Sequence, residues 1–322
     1  MEVVAVDIGG THARFAVARI DAGRVVHLEE PMTQRVAEHA TLPLAWNAFA
    51  EWLGRPLPRA AAIALASPIN GEIIKLTNNP WIIRPPFIQD RLGVDRYTLI
   101  NDFGAIGHAI GQLEGSSYVH LCGPPGDLPD TGAITVCGPG TGLGVAQVVR
   151  GDGTYRVIAT EGGHQDYAAL DEIDDALIRR LRPTYTRVST ERVCAGPGLV
   201  HIYETLAQIE GRPFAHLDDK PLWELALSGS DPLATAALER FCLSLGGVAG
   251  DLALAHGPTG VVIAGGLGLR LKDRLVQSGF SQRFVAKGRF QSLMATIPVK
   301  IITHPQPGLF GAAAAFAQEH PG

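Results

Sequence analysis

Two glycine-rich turns, VDIGGTHAR over Val6 to Arg14 and VCGPGTGLG over Val136 to Gly144, stand almost a domain apart, each directly after an apolar run that reads as a strand. The same grammar surrounds both. Runs at Val3 to Ile8, Arg14 to Ile20 and Arg24 to Glu29 predict an antiparallel meander joined by GGTHA and Asp21-Ala22-Gly23; runs at Ala133 to Cys137, Leu143 to Arg150 and Thr154 to Thr160 predict a second. A chain that restarts in this way folds as two lobes of related build. A third glycine run, VVIAGGLGLRL at Val261 to Leu271, again leaves a strand and enters a helix. Glycine lets consecutive backbone N–H groups approach an anion and accepts positive φ, and Thr11 and Thr141 add hydroxyl donors. Three such turns imply a nucleotide held in a cleft between the lobes.

Between the turns the pattern alternates. Trp46, Phe49, Trp52 and Leu53 share a helical face in Leu44 to Leu53, followed by the strand Ala60 to Ala66 and a hairpin-like segment at Ile73 to Leu76. Pro85-Pro86 opens a helix to Leu92 that Gly93 closes, and Tyr97 to Ile100 is a buried strand ending at Asn101-Asp102. Helices are predicted over Leu170 to Leu181, Gly198 to Glu210, Pro221 to Leu227 and Asp231 to Ala255. The strand Gly260 to Ala264, a helix after Gly266, the strand Val299 to Thr303 and the small-residue helix Leu309 to Ala317 complete the chain. Meanders followed by alternating helices and strands fit a mixed α/β sheet in each lobe. The stretch Gly115 to Thr131, with Gly123-Pro124-Pro125-Gly126, reads as the loosest of the chain, a flexible rim or lid.

Composition narrows the function. At 322 residues the chain exceeds the usual ~100–200 residues of one domain, so two domains are expected. With 46% hydrophobic and 18% charged residues it can bury two cores. A net charge of −5 argues against a nucleic-acid partner, which requires a basic surface. Cys122, Cys137, Cys194 and Cys242 contain no C-x-x-C pair and read as buried thiols, not as a zinc site or disulfide framework. MEVVAVDIGG has no basic leader, and no uncharged run approaches the ~18–20 apolar residues of a membrane helix. A soluble cytoplasmic protein without membrane or metal sites is expected.

The glycine turns do not match the common nucleotide signatures. No lysine follows a glycine, which excludes a Walker A loop, and no turn fits G-x-G-x-x-G. A strand–turn–strand phosphate hairpin remains, with Asp7 at the strand end able to reach Mg²⁺ through water, beside the plain reading of a hairpin that needs glycine. Asp102 lies at the carboxyl end of a hydrophobic strand, where open α/β sheets present functional groups. It can accept a hydroxyl proton during phosphoryl transfer, in which alignment matters more than basicity, or it can cap the helix FGAIGHAI.

Glu161-Gly162-Gly163-His164 combines a carboxylate, a permissive backbone and an imidazole, an inventory suited to sugar hydroxyls or to a solvated surface turn. Glu191 in STERVCAGPGL is a further carboxylate, or simply part of a helix first turn behind Ser189 or Thr190. Asn78-Asn79-Pro80-Trp81 reads first as a loop that can also line a sugar cleft. His12 and Arg14 beside the first turn can approach phosphate, while strand alternation is equally expected to send one of them to solvent.

DIGGTHARFAV, LTNNPW, INDFGAIGHAI, GPGTGLGVAQVV, EGGHQDYA, ERVCAGPGL, GVVIAGGL, FVAKGRF and HPQPGLFGAAA occur in this order along nearly the whole chain. In this series the chain resembles the bacterial ATP-dependent glucokinase family, the non-zinc branch of the actin-like sugar kinases. His12 departs from the asparagine more common after GGT, and the cysteine-rich zinc motif of the related repressor/ORF/kinase (ROK) group is absent.

The resemblance implies two actin-like (ribonuclease H-like) α/β lobes with mixed sheets flanked by helices and a ligand cleft between them. Residues 1–110 plus 304–322 would form the small domain and 111–303 the large one. It implies ATP with Mg²⁺ carried on it, glucose as substrate and a homodimer. Asp102 matches the catalytic base toward the glucose 6-hydroxyl, while Asn101, Asp102, Glu161, His164 and Glu191 match hexose-binding positions. Gly9, Gly10, Thr11, Gly140 and Thr141 match phosphate-facing turns, and Gly265 and Gly266 the turn near adenosine. A kinase for another hexose and a non-catalytic sugar sensor are the alternative readings.

Overall fold

Alternating small and large apolar residues give the first sheet two different faces. In β1 (Glu2–Ile8), Val4, Val6 and Ile8 face one layer, while Val3 and Ala5 face the other. The structure, a computed structural model, describes residues 1–76, 79–214 and 217–321; Asn78 of the NNPW segment lies outside the described residues. It divides into two units, Met1–Glu114 with Tyr155–Ala159 and His304–Gly322, and Gly115–Thr154 with Thr160–Thr303.

The first unit holds β2 (His12–Asp21), β3 (Arg24–Leu28), β4 (Met32–Arg35), β5 (Ala60–Leu65) and β8 (Arg96–Asn101) with β1, in the order β3-β2-β1-β5-β8, and β4 pairs with β2. The β1-β2-β3 meander is antiparallel as its turns predict, and β5 and β8 join in parallel. The short strands β6 (Ile74–Lys75) and β7 (Ile82–Ile83) pair separately. Pro85–Phe87 forms a 3₁₀ turn before helix α2 (Ile88–Leu92), because consecutive prolines supply no N–H to an α-helical ladder.

One face packs Phe15, Val17 and Ile63 against Trp46 and Phe49 of α1 (Leu42–Leu53). The other is rich in alanine, with Ala5, Ala16, Ala18, Ala62 and Ala64 against α3 (Asp102–Gln112) and α13 (Pro307–Glu319). Small side chains there bring helix and sheet backbones close together.

In the second unit β9 (Tyr118–Cys122), β10 (Gly132–Pro139), β11 (Leu143–Gly151), β13 (Gly260–Ile263) and β14 (Val299–Ile302) are neighbours in the order β11-β10-β13-β14-β9. β12 (Thr154–Thr160) contributes Tyr155–Ala159 to the first unit. Helices α4 (Glu172–Tyr185), α5 (Thr190–Cys194), α6 (Gly198–Ile209), α7 (Asp219–Ser228) and α8 (Pro232–His256) follow the meander. α9 (Gly265–Arg270), α10 (Lys272–Gln277), α11 (Phe280–Val285) and α12 (Gln291–Met294) separate the last strands. The long α8 is buried over most of its length, and Gly246 and Gly250, one turn apart, let α11 approach: a Cβ at either would meet the Phe280 or Phe284 carbonyl oxygen at 2.3 or 2.5 Å.

The stretch expected to be the loosest is anchored at its start. Gly115–Ser117 is a 3₁₀ turn and Tyr118–Cys122 is an edge strand antiparallel to β14. Gly123 follows with φ +79° against the Ile297 backbone, and the remainder from Pro124 to Thr131 runs without helix or strand.

Candidate active site

Strand register gathers the first set of residues. Ile8 lies beside Leu65 and Leu65 beside Asn101 in parallel pairing, so the carboxyl ends of β1, β5 and β8 form one edge. The Gly9-Gly10-Thr11 turn and the Asn101-Asp102 pair both leave that edge. The turn is tied by Gly9 N–H donating to the His12 carbonyl at 3.0 Å, and by Asn79 Nδ2 donating to the Gly9 carbonyl at 2.8 Å. Asn79 Oδ1 in turn accepts from Trp81 N, and the Trp81 indole is 1% exposed. Asn79 therefore supports the glycine turn, and Trp81 belongs to the core, not to a sugar-lining loop.

Asp7 is partly buried beside this turn and accepts from the Arg14 guanidinium at 3.1 Å. Burial raises its carboxyl above the ordinary range, and Arg14 opposes that shift. Both His12 and Arg14 are exposed. The expectation that one of them goes to solvent is corrected to both, because residues two apart on a strand share a face.

Asn101, not Asp102, is the cap of α3. Its Oδ1 accepts from Phe103 N at 2.9 Å and Gly104 N at 3.1 Å, and its backbone is extended. Asp102 is the first helical residue, half-buried, with Oδ1 2.9 Å from Phe103 N. One turn and a half further along α3, His108 Nδ1 lies 3.4 Å from the Tyr155 hydroxyl, and burial pushes this imidazole down to about 4.

Within the second unit the remaining turns are neighbours. Gly140 N donates to the Gly142 carbonyl and Gly196 N to the Gly140 carbonyl, each at 2.8 Å. Gly265 has φ +77°, and a Cβ there would stand 2.6 Å from the Pro139 carbonyl oxygen, so glycine is required for the third turn to rest on the second. Among the described residues of the expected turn set, Gly265 is the one with a left-handed backbone. Thr141 and Gly266 are exposed.

Glu161 precedes the 3₁₀ turn Gly162–His164, and its Oε2 lies 3.8 Å from His164 Nε2 with both side chains more than half exposed. Thr190 Oγ1 donates to the Gly163 carbonyl and Arg187 Nη2 to the His164 carbonyl, each at 2.7 Å. Glu191 does lie in the first turn of α5, yet its Oε2 also accepts from Leu143 N at 2.9 Å. Arg187 and Gly196 were missed at the level of sequence, and Asn79 and Thr190 were read for other roles, because each acts on a backbone atom that carries no side-chain signature.

The described residues contain no group of three or more His, Cys, Asp or Glu that could hold a metal ion. None of the described helices is long and apolar enough to cross a membrane.

A family model described as Glucokinase matches residues 4–319. The chain is 59% identical over 320 residues to the glucokinase of Zymomonas mobilis subsp. mobilis, covering 99% of both chains. It is 39% identical to that of Paramagnetospirillum magneticum, over 97% of this chain and 96% of the relative. Among solved structures, a glucokinase from an Antarctic psychrotroph superposes with a TM-score of 0.86 at 34% identity, covering 98% of this chain and 99% of that one. With near-complete coverage in sequence and in structure, this chain belongs to the bacterial glucokinase family.

Proposed function

We propose that this enzyme transfers the γ-phosphoryl of MgATP to the 6-hydroxyl of glucose, giving glucose 6-phosphate and ADP. The observation that carries the reading is the end-to-end identity of 59% with the Zymomonas glucokinase. The hexose oxygen forms a bond to the γ-phosphorus as the bond to the β,γ-bridging oxygen breaks, and the hydroxyl proton passes to the Asp102 carboxylate. Support for this role comes from the position of Asp102 as the first residue of α3, where Asn101 supplies the cap. An ordinary carboxylate suffices, because proton loss is late in a loose phosphoryl transfer and alignment dominates.

Asn101, Asp102, Glu161, His164 and Glu191 take the hexose hydroxyls in this reading. Gly10, Thr11 and Thr141 face the phosphate oxygens, Gly9 and Gly140 close those turns through their N–H bonds to the His12 and Gly142 carbonyls, and Gly265 and Gly266 border the adenosine. Mg²⁺ arrives with the nucleotide, and Asp7, a partly buried carboxylate at the turn, fits an outer contact to it through water. Residues 1–110 with 304–322 serve as the small domain, to which packing adds 111–114 and Tyr155–Ala159, and the remainder of 111–303 serves as the large. The working form is a cytoplasmic homodimer.

The test is ADP release coupled to a hexose panel. Glucose is expected to give the highest kcat/KM; a higher value for mannose, fructose or an N-acetylated amino sugar overturns the substrate assignment, and sugar binding without turnover favours a sensor.

A further inference from the structure

Leu143 is where the segments assigned to sugar and to phosphate meet inside the second unit. Its N–H donates to Glu191 Oε2 at 2.9 Å. A Cβ on Gly163 would stand 2.0 Å from the Leu143 carbonyl oxygen, so the Glu161–His164 turn rests directly on this residue. One position earlier, a Cβ on Gly142 would stand 2.5 Å from Glu191 Oε2. The Gly142 carbonyl accepts from Gly140 N, and the Gly140 carbonyl from Gly196 N. From the Glu191 carboxylate to the Gly140-Thr141 turn the path is backbone throughout. The one flexible member is the Glu191 side chain.

We propose that Glu191 is a positioning residue for the nucleotide as well as a hexose contact. By holding Leu143 N–H, its carboxylate sets the shape of the Gly140-Thr141 turn. A sugar hydroxyl that donates to the same carboxylate competes for its charge and orientation, so each substrate alters the site of the other. Such coupling is reciprocal in binding free energy. The inference rests on the functional reading above, in which Glu191 meets hexose and Gly140 and Thr141 meet phosphate.

Three variants of the full chain test it. Gly142→Ala adds a methyl that meets only the end of the Glu191 side chain, at a residue without left-handed backbone, so the protein folds and the carboxylate moves. Although Gly142 belongs to the nucleotide turn, glucose affinity of the nucleotide-free variant, measured by calorimetry, is expected to fall about fivefold or more. Glu191→Ala is expected to raise KM for ATP about fivefold or more at saturating glucose, and Glu191→Gln, which keeps an oxygen for Leu143 N–H, to restore KM for ATP but not glucose affinity.

Glucose affinity of Gly142→Ala within about twofold of wild type, or an unchanged KM for ATP in Glu191→Ala, overturns the coupling. If circular dichroism shows Gly142→Ala unfolded, the Ala and Gln variants of Glu191 decide alone. Wild-type protein that does not phosphorylate glucose removes the functional reading and this inference with it; wild-type turnover with effects confined to one substrate per variant removes only the inference.

Discussion

Asn101 Oδ1 satisfies the N–H groups of both Phe103 and Gly104, and so takes the capping role at the helix whose first residue is Asp102. The two neighbouring polar residues thereby differ in role: one amide holds the helix start, and the carboxylate beside it is the proposed base.

Replacing Asp102 tests the chemical half of that division. Asp102→Ala should lower kcat by about 10²–10⁴-fold, the range for loss of a positioned base, while glucose affinity by calorimetry stays within about tenfold. Retained turnover would remove Asp102 from the mechanism.

Asn101→Ala tests the other half. Loss of the cap should cost about 1 kcal/mol in urea unfolding, and Asn101→Ser should recover most of it, since a serine hydroxyl can accept the same N–H bonds. Because Asn101 is also a proposed hexose contact, the serine variant should regain stability without regaining full kcat/KM.

The C-terminal helix is held close to α3 by Gly311, where a Cβ would stand 1.7 Å from the Ala105 carbonyl oxygen. A backbone atom cannot yield as a side-chain tip can. Gly311→Ala should therefore destabilise by about 3 kcal/mol, at the upper end of overpacking costs, and lower the melting temperature measurably by calorimetry. An unchanged melting temperature would show that α13 can shift away from α3 without loss.

Burial of His108 predicts a pH dependence of stability. Its folded value of about 4 lies below the unfolded value of 6.5, so between these limits the unfolded chain binds the extra proton. Stability is complete above pH 6.5 and falls as pH drops toward 4, by up to about 3 kcal/mol from this group. His108→Gln should flatten the curve of unfolding free energy over that window. A wild-type slope in the variant would assign the loss to other groups.

Much of this protein was legible in its residues. The meanders, the carboxyl-edge placement of Asp102 and the Glu161-Gly162-Gly163-His164 turn follow from local pattern, which depends only on neighbours along the chain. What local pattern cannot carry is long-range pairing and the exact end of an element. Tyr118–Cys122 has strand-favouring residues in Tyr118 and Val119, but it is too short to declare itself, and β14, far along the chain, offers the open edge that makes it a strand.

Asn101 and Asp102 can each cap a helix; where β8 stops decided which one does. Leu143 N–H is a donor that every non-proline residue possesses, and only the folded second unit brings Glu191 to it. Residue order settles which groups exist and the elements that bear them. Tertiary structure alone decided which backbone atoms those groups hold, because such bonds are set by distance in space and leave no trace in residue order.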